Sequence, residues 1–186
     1  MLRFPPSLFA AWILAASIAM YAVAATAAHA GPYLGLGVGT APDMSDEMQG
    51  FTPSSRSGRL MLGQRFSVVA VEGAVGGFQL AGGARDAQYD AISLSGGGRL
   101  NFTLEGPLAL FARGGLERTW LKADDMPDYR GDGYYGGLGA ELRLALPLGE
   151  TSVWIDYSRH RATLRSGDSE IDADNGVWTV GLSVGI

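Results

Sequence analysis

The sequence predicts an all-β fold, an eight-stranded antiparallel up-and-down transmembrane β-barrel. Three observations predict it. Apolar and polar residues alternate with period two through eight segments. The connections between these segments alternate between short turns and long polar stretches. One face of the alternation is apolar, while the other carries Arg, Glu and Asp.

The first thirty residues stand apart from this pattern. Met1-Leu-Arg-Phe-Pro-Pro carries one positive charge, an uncharged apolar run extends from Leu8 to Ala27, and Ala28-His29-Ala30 is an A-x-A cleavage pattern. Residues 1–30 are expected to be a signal peptide cleaved after Ala30, leaving 31–186 as the barrel domain.

The alternating segments then follow in order. Leu34, Leu36 and Val38 alternate with Tyr33, Gly35 and Gly37. Leu60 and Leu62 lead to Phe66, and Val69, Val71 and Val75 alternate with Ala70, Glu72 and Ala74. Ile92, Leu94, Leu100 and Phe102 alternate with Ser93, Ser95, Arg99 and Asn101. Leu108, Leu110, Leu116 and Trp120 alternate with Phe111, Arg113, Glu117 and Thr119. Tyr134, Leu138, Leu142 and Leu144 alternate with Gly137, Gly139, Glu141 and Arg143. Val153, Ile155 and Tyr157 alternate with Trp154, Asp156 and Ser158, and Trp178, Val180, Leu182 and Val184 with Thr179, Gly181 and Ser183. Each segment is about as long as a tilted strand needs to cross a bilayer, roughly 9 to 11 residues. Residues 41–57, 79–89, 122–132 and 161–175 are the expected long connections; the turns near Ser67, Gly106 and Gly149 are short. An even strand count puts both termini at the short-turn, periplasmic end.

The polar face settles which side is dry. It holds Arg65, Glu72, Arg99, Arg113, Glu117, Glu141, Arg143 and Asp156, too many charges for the core of a soluble barrel. They are expected to point inward as a barrel-interior charge network, with the apolar face toward lipid. Phe66 and Phe102 near the short turns, and Trp120, Tyr134 and Trp178 near the long connections, form two expected aromatic girdles. Gln64 interrupts the apolar face, either near the periplasmic end or turned inward by a bulge. A net charge of −5 disfavours nucleic acid, and the absence of Cys excludes disulfides, Cys-ligated metals and Cys nucleophiles.

The final strand ends Thr179-Val-Gly-Leu-Ser-Val-Gly-Ile186. Thr179, Gly181, Val184 and Ile186 resemble the C-terminal assembly signal of bacterial outer-membrane proteins, with Ile186 where Phe or Trp is usual. Residues 58–66 with 69–76, and Ile155-Asp-Tyr-Ser with Trp178-Thr-Val-Gly-Leu-Ser, are similar to hairpins of the small outer-membrane β-barrel superfamily, the OmpA transmembrane domain and OmpX type. The resemblance covers the barrel without the peptidoglycan-binding domain. It implies location in the bacterial outer membrane, contact with lipid and lipopolysaccharide, insertion by the barrel assembly machinery and a monomeric state. It does not imply one activity.

Candidate chemistry is sparse. Ser158 and His160 share a face, and Glu170 follows; the set resembles the His–Ser–Glu arrangement of PagL-type lipid A deacylases with the His-x-Ser order reversed. Asp168, Glu170, Asp172 and Asp174 resemble a run of oxygen ligands for a cation, and Asp124, Asp125, Asp128 and Asp132 form a second acidic cluster. Arg118, Arg159 and Arg161 near the outer rim are placed to cap the membrane edge or to meet lipid phosphates. The expected function is a non-catalytic barrel whose long acidic extracellular connections carry a structural, adhesion or surface-interaction role. The alternatives are a lipid A-modifying hydrolase using Ser158 and His160, and a narrow ion-conducting barrel. No cofactor is expected.

Overall fold

Period-two alternation sends successive side chains to opposite faces of a sheet, and closing the sheet removes its two edges. The computed structural model shows this closure. It describes residues 31–44, 51–53, 55–82, 87–104, 106–122, 128–146, 149–167 and 169–186. The expected leader lies outside them, as do Asp124, Asp125 and Asp168. The elements are β1 (Pro32–Gly39), β2 (Asp43–Met44), β3 (Phe51–Pro53), β4 (Ser57–Phe66), β5 (Val69–Gly82), β6 (Ala87–Thr103), β7 (Leu108–Lys122), β8 (Tyr129–Leu146), β9 (Gly149–Ser166) and β10 (Ser169–Gly185). The eight long strands pair antiparallel in chain order, and β1 closes the ring on β10, from Tyr33 opposite Gly185 to Gly39 opposite Thr179.

Two short strands add to the expected eight. β2 lies beside β10 and β3 beside β5, extending the ladders past β1 and β4. Pro42 has no N–H to donate, and the ladder breaks off after Thr40, whose amide donates to the Trp178 carbonyl at 2.8 Å, before β2 resumes it.

The turn at Ser67-Val68 and the turn containing Gly106 lie at the end that holds the termini, where the Ile186 amide donates to the Pro32 carbonyl at 2.9 Å. Ser67 (φ 55°) and Gly106 (φ 77°) take the left-handed conformation of tight turns.

The opposite end differs from expectation. Two of the four long connections are mostly strand. β5 runs to Gly82 and β6 starts at Ala87, while β9 runs to Ser166 and β10 starts at Ser169. Polar cross-strand pairs replace apolar contacts there: Gln79 Nε2 donates to Asp90 (3.0 Å), Thr163 to Asp172 (2.8 Å) and Arg165 to Glu170 (2.8 Å). Alternation by hydropathy ends at these residues, but the ladder does not.

The two faces are inverted relative to a soluble protein. Leu36 and Leu138 are 64% and 69% exposed, whereas Arg99 and Glu141 are 1% and 0% exposed. Phe102, Tyr134 and Trp178 lie on the outer face and Trp120 is half-buried. Phe66 does not join this belt. It keeps the outward parity, opposite exposed Val69 in the ladder, but is buried at the hairpin that turns at Ser67.

Candidate functional site

The barrel interior is stratified. At the short-turn end, Glu141 of β8 accepts from three arginines: Arg65 (3.0 Å), Arg143 (2.9 Å) and Arg99. Arg99 also lies 3.5 Å from Glu72, which accepts from the Tyr33 hydroxyl, and its Nε donates to Asn101 at 2.8 Å. Arg65 further donates to Glu150 at 2.9 Å. Buried ions are tolerable only when paired and hydrogen-bonded, which is how Glu141 is held.

Above this network sits an apolar tier of Met61, Phe111 and Trp154. Inward glycines admit it. A Cβ on Gly181 would stand 2.3 Å from the Trp154 ring, one on Gly139 2.3 Å from Phe111, and one on Gly35 2.5 Å from Met61. The Arg99 guanidinium lies 3.8 Å from the Phe111 ring centroid. Arg113 pairs with Asp156, and Arg59 approaches the same carboxylate at 3.8 Å.

The next level is a small chamber of about 60 Å³ with hydroxyls from Ser57, Ser93, Ser95, Thr119 and Ser158 on its walls. His160 Nδ1 lies 2.6 Å from Glu117 and Nε2 lies 3.1 Å from Ser158 Oγ. Tyr135 stacks on the imidazole, with centroids 5.6 Å apart. The structure thus brings Ser158 and His160 together, but the third partner is Glu117. Glu170 lies on the exposed β9–β10 hairpin, bound to Arg165. A Glu–His–Ser series can pass a proton. Ser158 lies within both ladders, opposite Gly137 and Val177, so its own backbone is committed to the sheet rather than free to hold an oxyanion. Ser158 is also 1% exposed. An apolar cap that includes Leu80, Tyr89, Leu121 and Leu164 packs toward the outer end of the interior.

Outside, beyond the Tyr157–Trp178 ring contact (centroids 5.2 Å apart), the strands carry ion pairs. Arg118 grips Asp132 through two bonds of 2.7 and 2.8 Å, and Asp174 accepts from Arg159 (2.7 Å) and Arg161 (2.7 Å). Hydrogen bonding to Arg118 holds the Asp132 carboxyl below its ordinary range, and Arg159, then Arg161, do the same for Asp174.

Of the candidate cation run, the described carboxylates are already engaged. Glu170, Asp172 and Asp174 are bound to Arg165, Thr163 and the two arginines. Among the described residues no three His, Cys, Asp or Glu side chains converge. At the C-terminus, Thr179 and Gly181 are buried while Val184 and Ile186 are exposed.

Sequence reasoning missed the cap and the Glu117 contact. Leu80, Leu121 and Leu164 share parity with Glu72, Glu117 and His160, so extending the alternation into the polar stretches would have found the cap. Glu117 and His160 stand on β7 and β9, with β8 between them, and only the register of both ladders brings them together.

The model of the family described as outer membrane protein beta-barrel domain matches residues 10–185. The fold is similar to that of Neisserial surface protein A, with a TM-score of 0.57 and 13% identity over 84% of this chain and 99% of that one. It is also similar to the outer membrane protein OprG from Pseudomonas aeruginosa, with a TM-score of 0.53 and 11% identity over 84% of this chain and 96% of that one. At these identities the likeness is one of fold. No curated protein sequence matches the chain.

Proposed function

The chain belongs to the outer-membrane protein β-barrel family of the bacterial outer membrane, and from that premise we propose that it is a closed, non-catalytic barrel that anchors charged hairpins outside the membrane. The filled lumen carries the reading. Eight strands leave an interior about as wide as the side chains that fill it. Here Arg99, between Glu72 and Glu141, blocks the lower end, and Trp154 and Phe111 block the middle. An ion entering this path would have to displace paired buried charges, which costs several kcal/mol per ion. The hydrolase alternative is disfavoured by access, since Ser158 and His160 face the lumen and lipid chains meet the opposite face. Among the described residues, those available to partners are at the outer ends of β5–β10, which project past the aromatic belt.

Planar-bilayer recording tests this reading. The reconstituted protein is expected to give no discrete conductance steps. Reproducible single-channel steps from the wild type would overturn it.

A further inference from the structure

Two arginines on the outer face stand in an arrangement that a free barrel has little reason to keep. Arg130 of β8 and Arg165 of β9 are directly opposite each other in the ladder, both exposed. Like charges in that position repel. The lumen contains the same juxtaposition, Arg99 opposite Arg113, and resolves it with carboxylates: Glu72 and Glu141 on one, Asp156 on the other. Outside, Glu170 pairs with Arg165, but among the described residues no carboxylate lies within salt-bridge distance of Arg130 or of Lys122. Arg118, Lys122, Arg130 and Arg165 line one groove with Trp120; its two acids are Asp128 and Asp132, and Asp132 is already held by Arg118. Among the described residues, Arg130 and Lys122 are thus the groove's cations without an ion-pair partner, although Asp128 lines the same groove and Asp90 stands across the ladder from Lys122.

Its position selects the class of anion. Arg118, Trp120 and Lys122 continue the outward row that begins with lipid-facing Leu110 and Leu116, and Arg130 and Asp132 continue the row of Leu138 and Tyr134. Trp120 stands directly across from Arg130. Cations beside a Trp, immediately past an apolar band, lie at headgroup depth. Guanidinium pairs bind phosphate oxygens bidentately. We propose that this groove binds the phosphorylated headgroup of an outer-leaflet glycolipid, with Arg130 and Arg165 sharing one phosphate, Lys122 supplying further charge and Trp120 packing against the sugar. The proposal rests on the outer-membrane location and is independent of whether the lumen conducts.

The test uses the protein in detergent micelles. Bound lipid A bisphosphate is titrated by native mass spectrometry for the wild type, the Arg130→Gln/Arg165→Gln double variant and an Arg56→Gln control, which removes one exposed cation from the opposite side of the barrel. Heat-dependent gel mobility confirms that each variant is folded. The expected result is a Kd at least tenfold weaker in the double variant, unchanged in Arg56→Gln, and at least tenfold weaker for dephosphorylated lipid A on the wild type. Equal affinity of the double variant, or equal binding of dephosphorylated lipid, would overturn the proposal. Displacement of the lipid by equimolar inorganic phosphate would overturn it too, by showing a site for free anion.

Discussion

Glu141 balances three arginines from a position of zero exposure, so its removal is felt at several strands at once. Glu141→Gln keeps the shape but leaves Arg65 and Arg99 under-compensated in a buried setting. Breaking a buried pair from one side costs about 3–5 kcal/mol. The expected outcome is a loss of that size in the unfolding free energy, read as a lowered urea midpoint of the barrel folded in lipid vesicles, and an unchanged midpoint would show that the network contributes nothing net. Packing beside the network is as tight. A Cβ on Gly181 would meet the Trp154 ring at 2.3 Å and the Leu36 carbonyl at 2.5 Å. Gly181→Ala is therefore expected to cost roughly 1–3 kcal/mol by overpacking in the same assay, and the Trp154→Ala background should relieve part of it. At this scale the sequence is half legible. The parity of Glu141, Trp154 and Gly181 can be read from alternation, since period two puts all three on the polar face. Their partners cannot, because which inward side chains meet depends on the relative shift of strands, and nothing local in the sequence encodes that shift.

Hydropathy marks element boundaries in the sequence, whereas hydrogen bonding sets them in the molecule. The β9–β10 hairpin shows the gap between the two. Its outer part has little apolar alternation, yet the ladder continues to Ser166 opposite Ser169, closing at Gly167 with φ 58°. Cross-strand charge pairs hold it, above all Asp174 between Arg159 and Arg161. This makes the outer hairpin sensitive to acid. The folded Asp174 carboxyl is held below its ordinary value of 3.8, first by the Arg159 hydrogen bond. A lowered folded value means that the stabilisation is fully present above the ordinary value and is lost as pH falls through the folded one. Amide protection in the outer part of the hairpin, corrected for intrinsic exchange, is expected to be flat from about pH 7 to 5 and to fall below about pH 4. Asp174→Asn should lower protection at neutral pH and remove the acid response. An unchanged profile in that variant would place the clamp elsewhere. The short β2 and β3 were invisible for a related reason: two or three residues are too few to show a period.

The inversion of faces governs the whole molecule, and it follows from charge placement more than from hydrophobicity. A soluble barrel and a membrane barrel both alternate; they differ in which face meets water. In the part of this chain between the two ends, the buried face carries ions and the exposed face carries Leu36, Val38 and Leu138 at 64%, 66% and 69% exposure. Exposure on that scale is unstable in water, where a contiguous apolar surface drives association, and is the favourable state in lipid. Leu138 is suited to discriminate, since it lies on β8 between Tyr134 at the outer belt and Leu144 near the short turns. An Arg there in a soluble protein would replace an exposed apolar group with a charge, which changes stability within about 0.5 kcal/mol. In a membrane barrel the same Leu138→Arg places a cation near the bilayer midplane, at a cost of about 2–4 kcal/mol that declines to about 0–1 near the interfaces. Gln79→Arg, on the outward row of β5 at the polar cross-strand pair with Asp90, should fall in that lower range. Both are measured as the folding free energy into lipid vesicles. A large loss at Leu138 beside a small one at Gln79 fixes the depth of the apolar band on the barrel wall. Equal, small effects at both positions would mean that the Leu-rich face meets water and that the charged interior needs another explanation.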